Sequence, residues 1–435
     1  MKKFGAQSLR TFLYQALSML LGLACGVIVA RYLGPTAKGA IALYGLIAGF
    51  LALAGNLGLG LANVHLVGSG QIIPGRAWAN SLYLALLTGS LLAVLTIFLF
   101  PVLGIIVKRP VDMGLLGIVL CGVPLLLLLD YQINLLRGVG DLAGFNQAGL
   151  MRQAGRLLAL GLLVVVFRSL DPSKNVASAL WAANISIAMA VLWSGYRLAK
   201  KTALSLVPTW RGLKKSLSYG LKGQPGQIIQ FFNYRLDLIL LALFWTNREV
   251  GIYATAVFLA EMIWYIPAAV STVLLPAVSS ADSEARARDI SLKAIRHTVF
   301  LSLAAAIVLA LSAQWLITTL YGPSFAPSVR ALQVLLFGVV MLAPAKLIVS
   351  HLAGVGKSQY VSYLALIGLG LTLLLDIILI PRFGIIGAAW ASAVAYSCSG
   401  LLSLYWLKRH LMVEIIPSLI LSKEDWQEYR ELINL

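Results

Sequence analysis

The chain has 435 residues, of which 60% are hydrophobic and 11% charged, against ~45–50% and ~25% in an ordinary soluble domain. Its formal net charge of +18 would suggest nucleic acid in a soluble protein. Apolar stretches of about twenty residues recur from Thr11 to Leu411, each able to cross the ~30 Å hydrocarbon core of a bilayer as a helix, so a soluble enzyme or nucleic-acid binder is excluded.

Inside a bilayer only helices or a closed barrel satisfy the backbone. Barrel strands would alternate over ~10-residue segments, whereas residues 92–107 and 125–129 are apolar on every face. The pattern predicts an all-α polytopic membrane protein with about twelve spans. They fall near 9–31, 40–66, 78–106, 112–136, 146–168, 176–199, 217–245, 250–278, 293–321, 328–354, 358–380 and 384–408.

The first run is too long for a signal peptide and lacks a small-x-small cleavage site, so it reads as span one. Spans one to six make an N-terminal lobe over 1–199. Within them, span two carries Asn56, Asn63 and His65, and span four carries Asp130, Gln132 and Asn134. A basic connection over 200–216 follows, in which Pro208–Lys215 reads as a short amphipathic elbow on the membrane surface. Spans seven to twelve make a C-terminal lobe over 217–411. The tail, 412–435, reads as an amphipathic helix with Ser422 and Asp425 as a capping box and Trp426, Tyr429 and Ile433 on one face.

Lys and Arg concentrate on alternate connections, at Lys2, Lys3 and Arg10, at Lys200 to Lys215, at Arg286 to Arg296, and at Lys408 and Arg409. Positive charge marks the cytoplasmic side, so both termini are expected there, and anionic lipid head groups are an expected partner. Cys25, Cys121 and Cys398 fall inside spans and make no disulfide framework.

The chain also repeats itself at an offset of about 214 residues. Leu136-x-Gly138-Val139-Gly140 returns as Leu352-x-Gly354-Val355-Gly356, and Lys38-Gly39-Ala40-Ile41-Ala42 resembles Val250-Gly251-Ile252-Tyr253-Ala254. Six spans per half give both halves the same orientation, a parallel repeat about the membrane normal.

Ionisable residues inside a span cost several kcal/mol and are functional candidates by default. Those singled out are Asp130, Arg235, Asp237, Glu261 and Lys346. Asp376 lies four residues before Ile380 and is expected to snorkel to the outer interface. Span seven is the most polar: Gln227, Gln230, Tyr234 and Asp237 share an arc of about 80°, with Arg235 about 80° beyond it. Gly223, Pro225 and Gly226 should loosen its start. The stripe reads either as the wall of a hydrated cavity with Arg235 facing an anion, or as Arg235 and Asp237 satisfying neighbouring helices as a buried structural pair. Asp130 and Lys346 occupy equivalent repeat positions and read as a gating pair or as two independent packing charges. No Walker loop, metal-ligand spacing or nucleophile elbow is present, so neither an enzyme nor a resident cofactor is expected.

Ala30-Arg31-Tyr32-Leu33-Gly34-Pro35 with Lys38-Gly39 resembles the loop between the first two spans of the polysaccharide transporter family. That family holds the Wzx-type oligosaccharide flippases of the multidrug/oligosaccharidyl-lipid/polysaccharide exporter (MOP) superfamily. Asn233-Tyr234-Arg235-Leu236-Asp237, Glu249-Val250-Gly251-Ile252-Tyr253, Ile266-Pro267 and Leu275-Pro276 resemble its spans seven and eight. Tyr321-Gly322-Pro323-Ser324-Phe325 and Gly384-Ile385-Ile386-Gly387-Ala388-Ala389 are similar to its later landmarks.

The resemblance implies a flippase carrying undecaprenyl-pyrophosphate-linked oligosaccharide between leaflets of a prokaryotic plasma membrane by alternating access. On that reading Arg235, Arg31 and Lys346 would meet the anionic head, with Gln227, Gln230, Tyr234 and Asn56 around it. Asp237, Glu261 and Asp130 would couple or gate, with a proton or cation gradient as the energy source. Polysaccharide assembly proteins would be further partners. A drug or metabolite antiporter of the same superfamily, expected to centre its site on carboxylates, is the alternative. A membrane glycan polymerase or ligase would need a longer outer loop.

Overall fold

The computed structural model describes residues 2–107, 112–167, 172–279, 281–354, 359–411, 419–421, 425 and 427. These residues form helices without a strand: α1 (Lys2–Asn56), α2 (Leu59–Gly68), α3 (Pro74–Val107), α4 (Met113–Gly138), α5 (Leu142–Phe167), α6 (Pro172–Lys201), α7 (Trp210–Phe244), α8 (Asn247–Glu261), α9 (Tyr265–Ser279), α10 (Glu284–Leu320), α11 (Ser328–Gly354) and α12 (Gln359–Leu411). Among the described residues nine helical stretches are long and apolar enough to cross a membrane.

Two of those stretches are each a pair of spans. α1 breaks at Gly34, with φ +76°, and α12 at Gly384, with φ +56°. Both values lie where a Cβ would clash with the following carbonyl oxygen, so glycine is required. Each is followed or preceded by a proline, Pro35 and Pro381, which lacks the N–H that would extend the ladder. With these breaks, and with α5, the twelve predicted spans are accommodated. The chain is a multi-pass membrane protein.

The outward surface agrees. Phe98, Leu192, Val308, Leu311 and Trp315 are two-thirds exposed or more. Such side chains are unfavourable in water but match lipid tails. Since lipid is as apolar as leucine, the lobes cohere by close packing and internal hydrogen bonds.

The chain divides into two compact units, Met1–Phe231 with Thr246–Gly251, and Phe232–Trp245 with Ile252–Leu435. The first unit packs Cys25, Val29, Val119, Leu160 and Ala179 in one cluster, and Leu59, Leu116, Leu127 and Tyr131 in another. The second packs Leu274, Ile295, Leu347 and Leu404. Tyr321 and Phe325, from the Tyr-Gly-Pro-Ser-Phe motif, are buried there with ring centroids 5.9 Å apart.

One helix differs from the sequence reading. The predicted surface elbow at Pro208–Lys215 is instead the first turns of α7, which starts at Trp210 and continues through Pro225 to Phe244. Its start is fixed by the buried Asn80. The Asn80 amide accepts from the Thr209 N–H at 2.8 Å and donates to the Thr209 carbonyl at 3.3 Å. Leu213 and Leu217 then pack into the first unit's core, so α7 is held by its apolar face rather than lying free. The predicted tail helix rests on Ser422, Trp426, Tyr429 and Ile433, and the second Gly-Val-Gly on Val355 and Gly356. All six lie outside the described residues. Asp425 is described: it is buried and receives the Arg296 guanidinium at 2.7 and 3.4 Å.

Candidate substrate site and buried carboxylates

Arg235 projects from α7 within the second unit, and its guanidinium donates to both oxygens of Glu261, at 2.7 and 3.2 Å. A third bond goes to the Tyr234 carbonyl at 3.2 Å. The planar fork matches the two-oxygen acceptor, the strongest geometry available to a side-chain ion pair. The pair is partly open, with 31% of the Arg235 and 23% of the Glu261 side chain exposed. Arg235 can therefore exchange partners. Arg235 and Asp237 do not bond to each other, because residues two apart on a helix point to different faces; each takes its partners from other helices.

Glu261 is the last residue of α8. A single 3-10 turn over Met262–Trp264 follows before α9. That change of winding sets Trp264 against Tyr234, with centroids 4.9 Å apart, and against Tyr396, at 5.5 Å. Lys346 of α11 enters the same cluster. Its Nζ is 4.2 Å from the Trp264 ring centroid and 5.1 Å from that of Tyr234, and it donates to the Tyr234 hydroxyl at 3.2 Å. Two cations and three aromatic rings thus share one partly open region. Its chemistry suits an anionic ligand carrying stackable rings: guanidinium and ammonium for phosphate oxygens, aromatic faces for the apolar faces of sugars.

Asp237 is deeply buried and turned away from that region. Its carboxylate accepts from the Tyr253 hydroxyl at 2.6 Å, the Ser392 hydroxyl at 3.0 Å and the Leu238 N–H at 2.7 Å. Asp376, expected at an interface, is instead 0% exposed, and neither carboxyl oxygen has a hydrogen-bond partner. The reason is helical phase. Thr372 and Ile380, one turn on either side, are buried at 2% and 0%, while Leu373, Leu374, Ile377 and Ile378 are exposed. Asp376 therefore sits on the protein-facing stripe of α12, where its charge and that of Asp237 act on one another.

In the first unit, Asn56 and Asp130 meet at the break between α1 and α2. The Asn56 amide donates to Asp130 Oδ2 at 2.6 Å, and Asn134 donates to the same atom at 3.3 Å. The Tyr131 hydroxyl lies 3.1 and 3.0 Å from the Gly55 and Asn56 carbonyls, which the break leaves without helical partners. This network satisfies irregular backbone at membrane depth. Asp130 and Lys346 thus each have partners inside their own unit.

The remaining candidates are dispersed. Arg31 is exposed near the end of the first half of α1, in the first unit. Gln227 and Gln230 are exposed on α7, while Tyr234 on the same arc is half-buried and Asp237 buried. Sequence reasoning missed Trp264 and Tyr396, which carry no charge and look like ordinary span residues. It also missed Arg152 and Arg156 of α5, whose charges inside a predicted span were the available signal. Arg152 acts electrostatically on Asp130.

Comparison with known proteins agrees with this architecture. Residues 28–330 match the family described as polysaccharide biosynthesis protein. Among curated proteins the chain is 23% identical over 397 residues to the probable low-salt glycan biosynthesis flippase Agl15 of Haloferax volcanii, covering 88% of this chain and 79% of that one. Among solved structures, the lipid II flippase MurJ in an inward closed conformation superposes with a TM-score of 0.78 at 14% identity, covering 94% of this chain and 89% of that one. An inward-facing multidrug resistance MATE family transporter of the MOP superfamily follows at TM-score 0.75 and 17% identity, covering 91% and 94%. With its family match spanning most of its length and its helices arranged as in MOP-superfamily transporters, the chain belongs to the polysaccharide biosynthesis protein family.

Proposed function

We propose that the protein is a flippase moving a polyprenyl-diphosphate-linked oligosaccharide, of the undecaprenyl type, from the inner to the outer leaflet of a prokaryotic plasma membrane by alternating access. The observation that carries this reading is the partly open Arg235–Glu261 pair beside Lys346 and three aromatic rings. A diphosphate competes with the Glu261 carboxylate for the same guanidinium fork, while the sugars meet the partly exposed rings of Tyr234 and Trp264 and the isoprenoid remains in lipid. Family membership and the names carried by Agl15 and MurJ support the same class of cargo.

Coupling belongs, in this reading, to the carboxylates. Exchange of Glu261 for another partner would free Arg235 for substrate. Asp376, buried without a partner beside the charge of Asp237, takes up either a proton or a cation to offset its desolvation. Both termini face the cytoplasm, where the basic connections meet anionic lipids.

The test is reconstitution in liposomes with a fluorescent polyprenyl-diphosphate oligosaccharide, reading the fraction accessible from the far side. Protein-dependent, saturable flipping supports the reading. Transport of ethidium-type cations without flipping would favour the drug antiporter.

A further inference from the structure

The first unit contains a second cationic feature, on the opening turns of the helix that later carries Arg235. A cavity of about 610 Å³ opens between the last turn of α2 and the first three turns of α7. Arg211, Lys214, Lys215 and Lys222 line it from α7. Their spacing of i, i+3, i+4 and i+11 places them on one stripe of the helix, and Ser218 and Tyr219 fill the intervening turn. The opposite stripe, with Leu213, Ser216 and Leu217, faces the core, so the cations have no route into the packed interior.

Close backbone approach builds the cavity. A Cβ on Gly58 would lie 2.1 Å from the Gly220 carbonyl oxygen, and one on Gly220 would lie 2.5 Å from the Gly58 carbonyl. Two glycines thus let α7 press against the start of α2. That contact brings His65 over Tyr219 as a flat stacked wall, with centroids 4.7 Å apart and planes 6° from parallel. Gln71 adds a neutral amide.

No carboxylate lines the cavity, and none of the four cations forms an ion pair among the described residues. The sequence explains why: there is no Asp or Glu in residues 1–111 or 172–236, which supply both walls. Four like charges converging on one space repel one another, and an anion in that space reverses the sign of the interaction. The volume lies within the range of small-ligand sites, and Leu66 is the single aliphatic lining residue, so the ligand must be polar.

We infer that this cavity is a binding site for a phosphate- or diphosphate-bearing head group, separate from the Arg235 site. Lysines supply point charges for phosphate oxygens and Arg211 a two-pronged donor. The inference stands apart from the flippase reading: loss of flipping leaves it intact, and loss of anion binding here leaves flipping at Arg235 intact.

The experiment uses the full chain in nanodiscs of pure phosphatidylcholine, titrated calorimetrically with inorganic pyrophosphate. Wild type should bind, more weakly at higher salt. The triple variant Lys214→Gln, Lys215→Gln, Lys222→Gln should weaken binding by about tenfold or more, while Arg235→Gln should leave a component sensitive to the triple substitution. The single reversal Lys215→Glu serves if the triple variant does not fold. Repeating the titration in nanodiscs containing phosphatidylglycerol separates the sources. Competition identifies a membrane-lipid head group, and unchanged affinity a free phosphate or diphosphate. Absence of binding in phosphatidylcholine, or binding unaltered by both sets of lysine variants, overturns the inference.

Discussion

Arg235 on α7 and Glu261 at the end of α8 are joined by two hydrogen bonds, at 2.7 and 3.2 Å, across 26 residues of chain. Asp237, two positions from Arg235, takes its hydrogen bonds from Tyr253 and Ser392 instead. Arg235 is therefore held by a partner that is itself 23% exposed, and the mutational consequences follow from that exposure.

Arg235→Ala should abolish flipping while leaving a folded protein, because Glu261 then meets water rather than a closed interior. The expected stability loss is about 1.5–3 kcal/mol, the range for hydrogen bonds to charged groups. Arg235→Lys should recover part of the activity, since a point charge loses the two-pronged geometry. Glu261→Gln should tighten binding of a diphosphate-bearing substrate by removing the competitor. Unchanged export in Arg235→Ala would show that the anion is bound elsewhere.

Asp376→Asn preserves shape and removes a buried charge without a partner. The variant should be as stable as wild type or more so, by thermal unfolding in detergent. In liposomes, its flipping should lose any response to an imposed proton or sodium gradient. A gradient response equal to wild type would remove Asp376 from the coupling scheme.

Asp141, in the connection between α4 and α5, gives a pH-dependent test. Burial raises its pKa, but the Arg197 guanidinium at 2.8–3.1 Å and the Gly144 N–H at 3.0 Å outweigh burial and hold it below the usual carboxylate value. A depressed folded-state pKa stabilises fully above the unfolded value of ~3.9 and is lost as pH falls through the folded one. Asp141→Asn should therefore lower Tm at pH 7, and its gap from wild type should close below about pH 4. A pH-independent gap would mean that the contact acts by shape alone.

Topology is open to cysteine labelling. Cysteines introduced at Ser205 and Ser422 should react with a membrane-impermeant maleimide only when the cytoplasmic side is exposed. One at Ser324, which is exposed in the turn after α10, should react from outside. Reaction of Ser324 solely from the cytoplasm would reverse the assignment.

Much of the architecture was legible in the residues. Continuous apolar runs dictate spanning helices because the bilayer leaves the backbone no other way to satisfy itself. The breaks expected between 31 and 40 and between 380 and 384 fall at Gly34 and Gly384, whose φ only glycine accepts readily. The polarity of α7 was equally visible from Gln227 to Asp237.

Pairing was not legible. Whether Arg235 meets Asp237 or Glu261 depends on which helix lies across from α7. Asp376 shows the same limit: its distance from a span end suggested an interface, but helix phase and the elements covering it put it in the interior. Trp264 and Tyr396 are ordinary aromatic residues until a 3-10 turn and the fold of α12 set them beside Lys346. Local periodicity and composition determine which segments enter the membrane, since that free energy is summed residue by residue along one helix. The partner of each buried charge is decided by contacts between residues far apart in the chain, and only the tertiary structure supplies those.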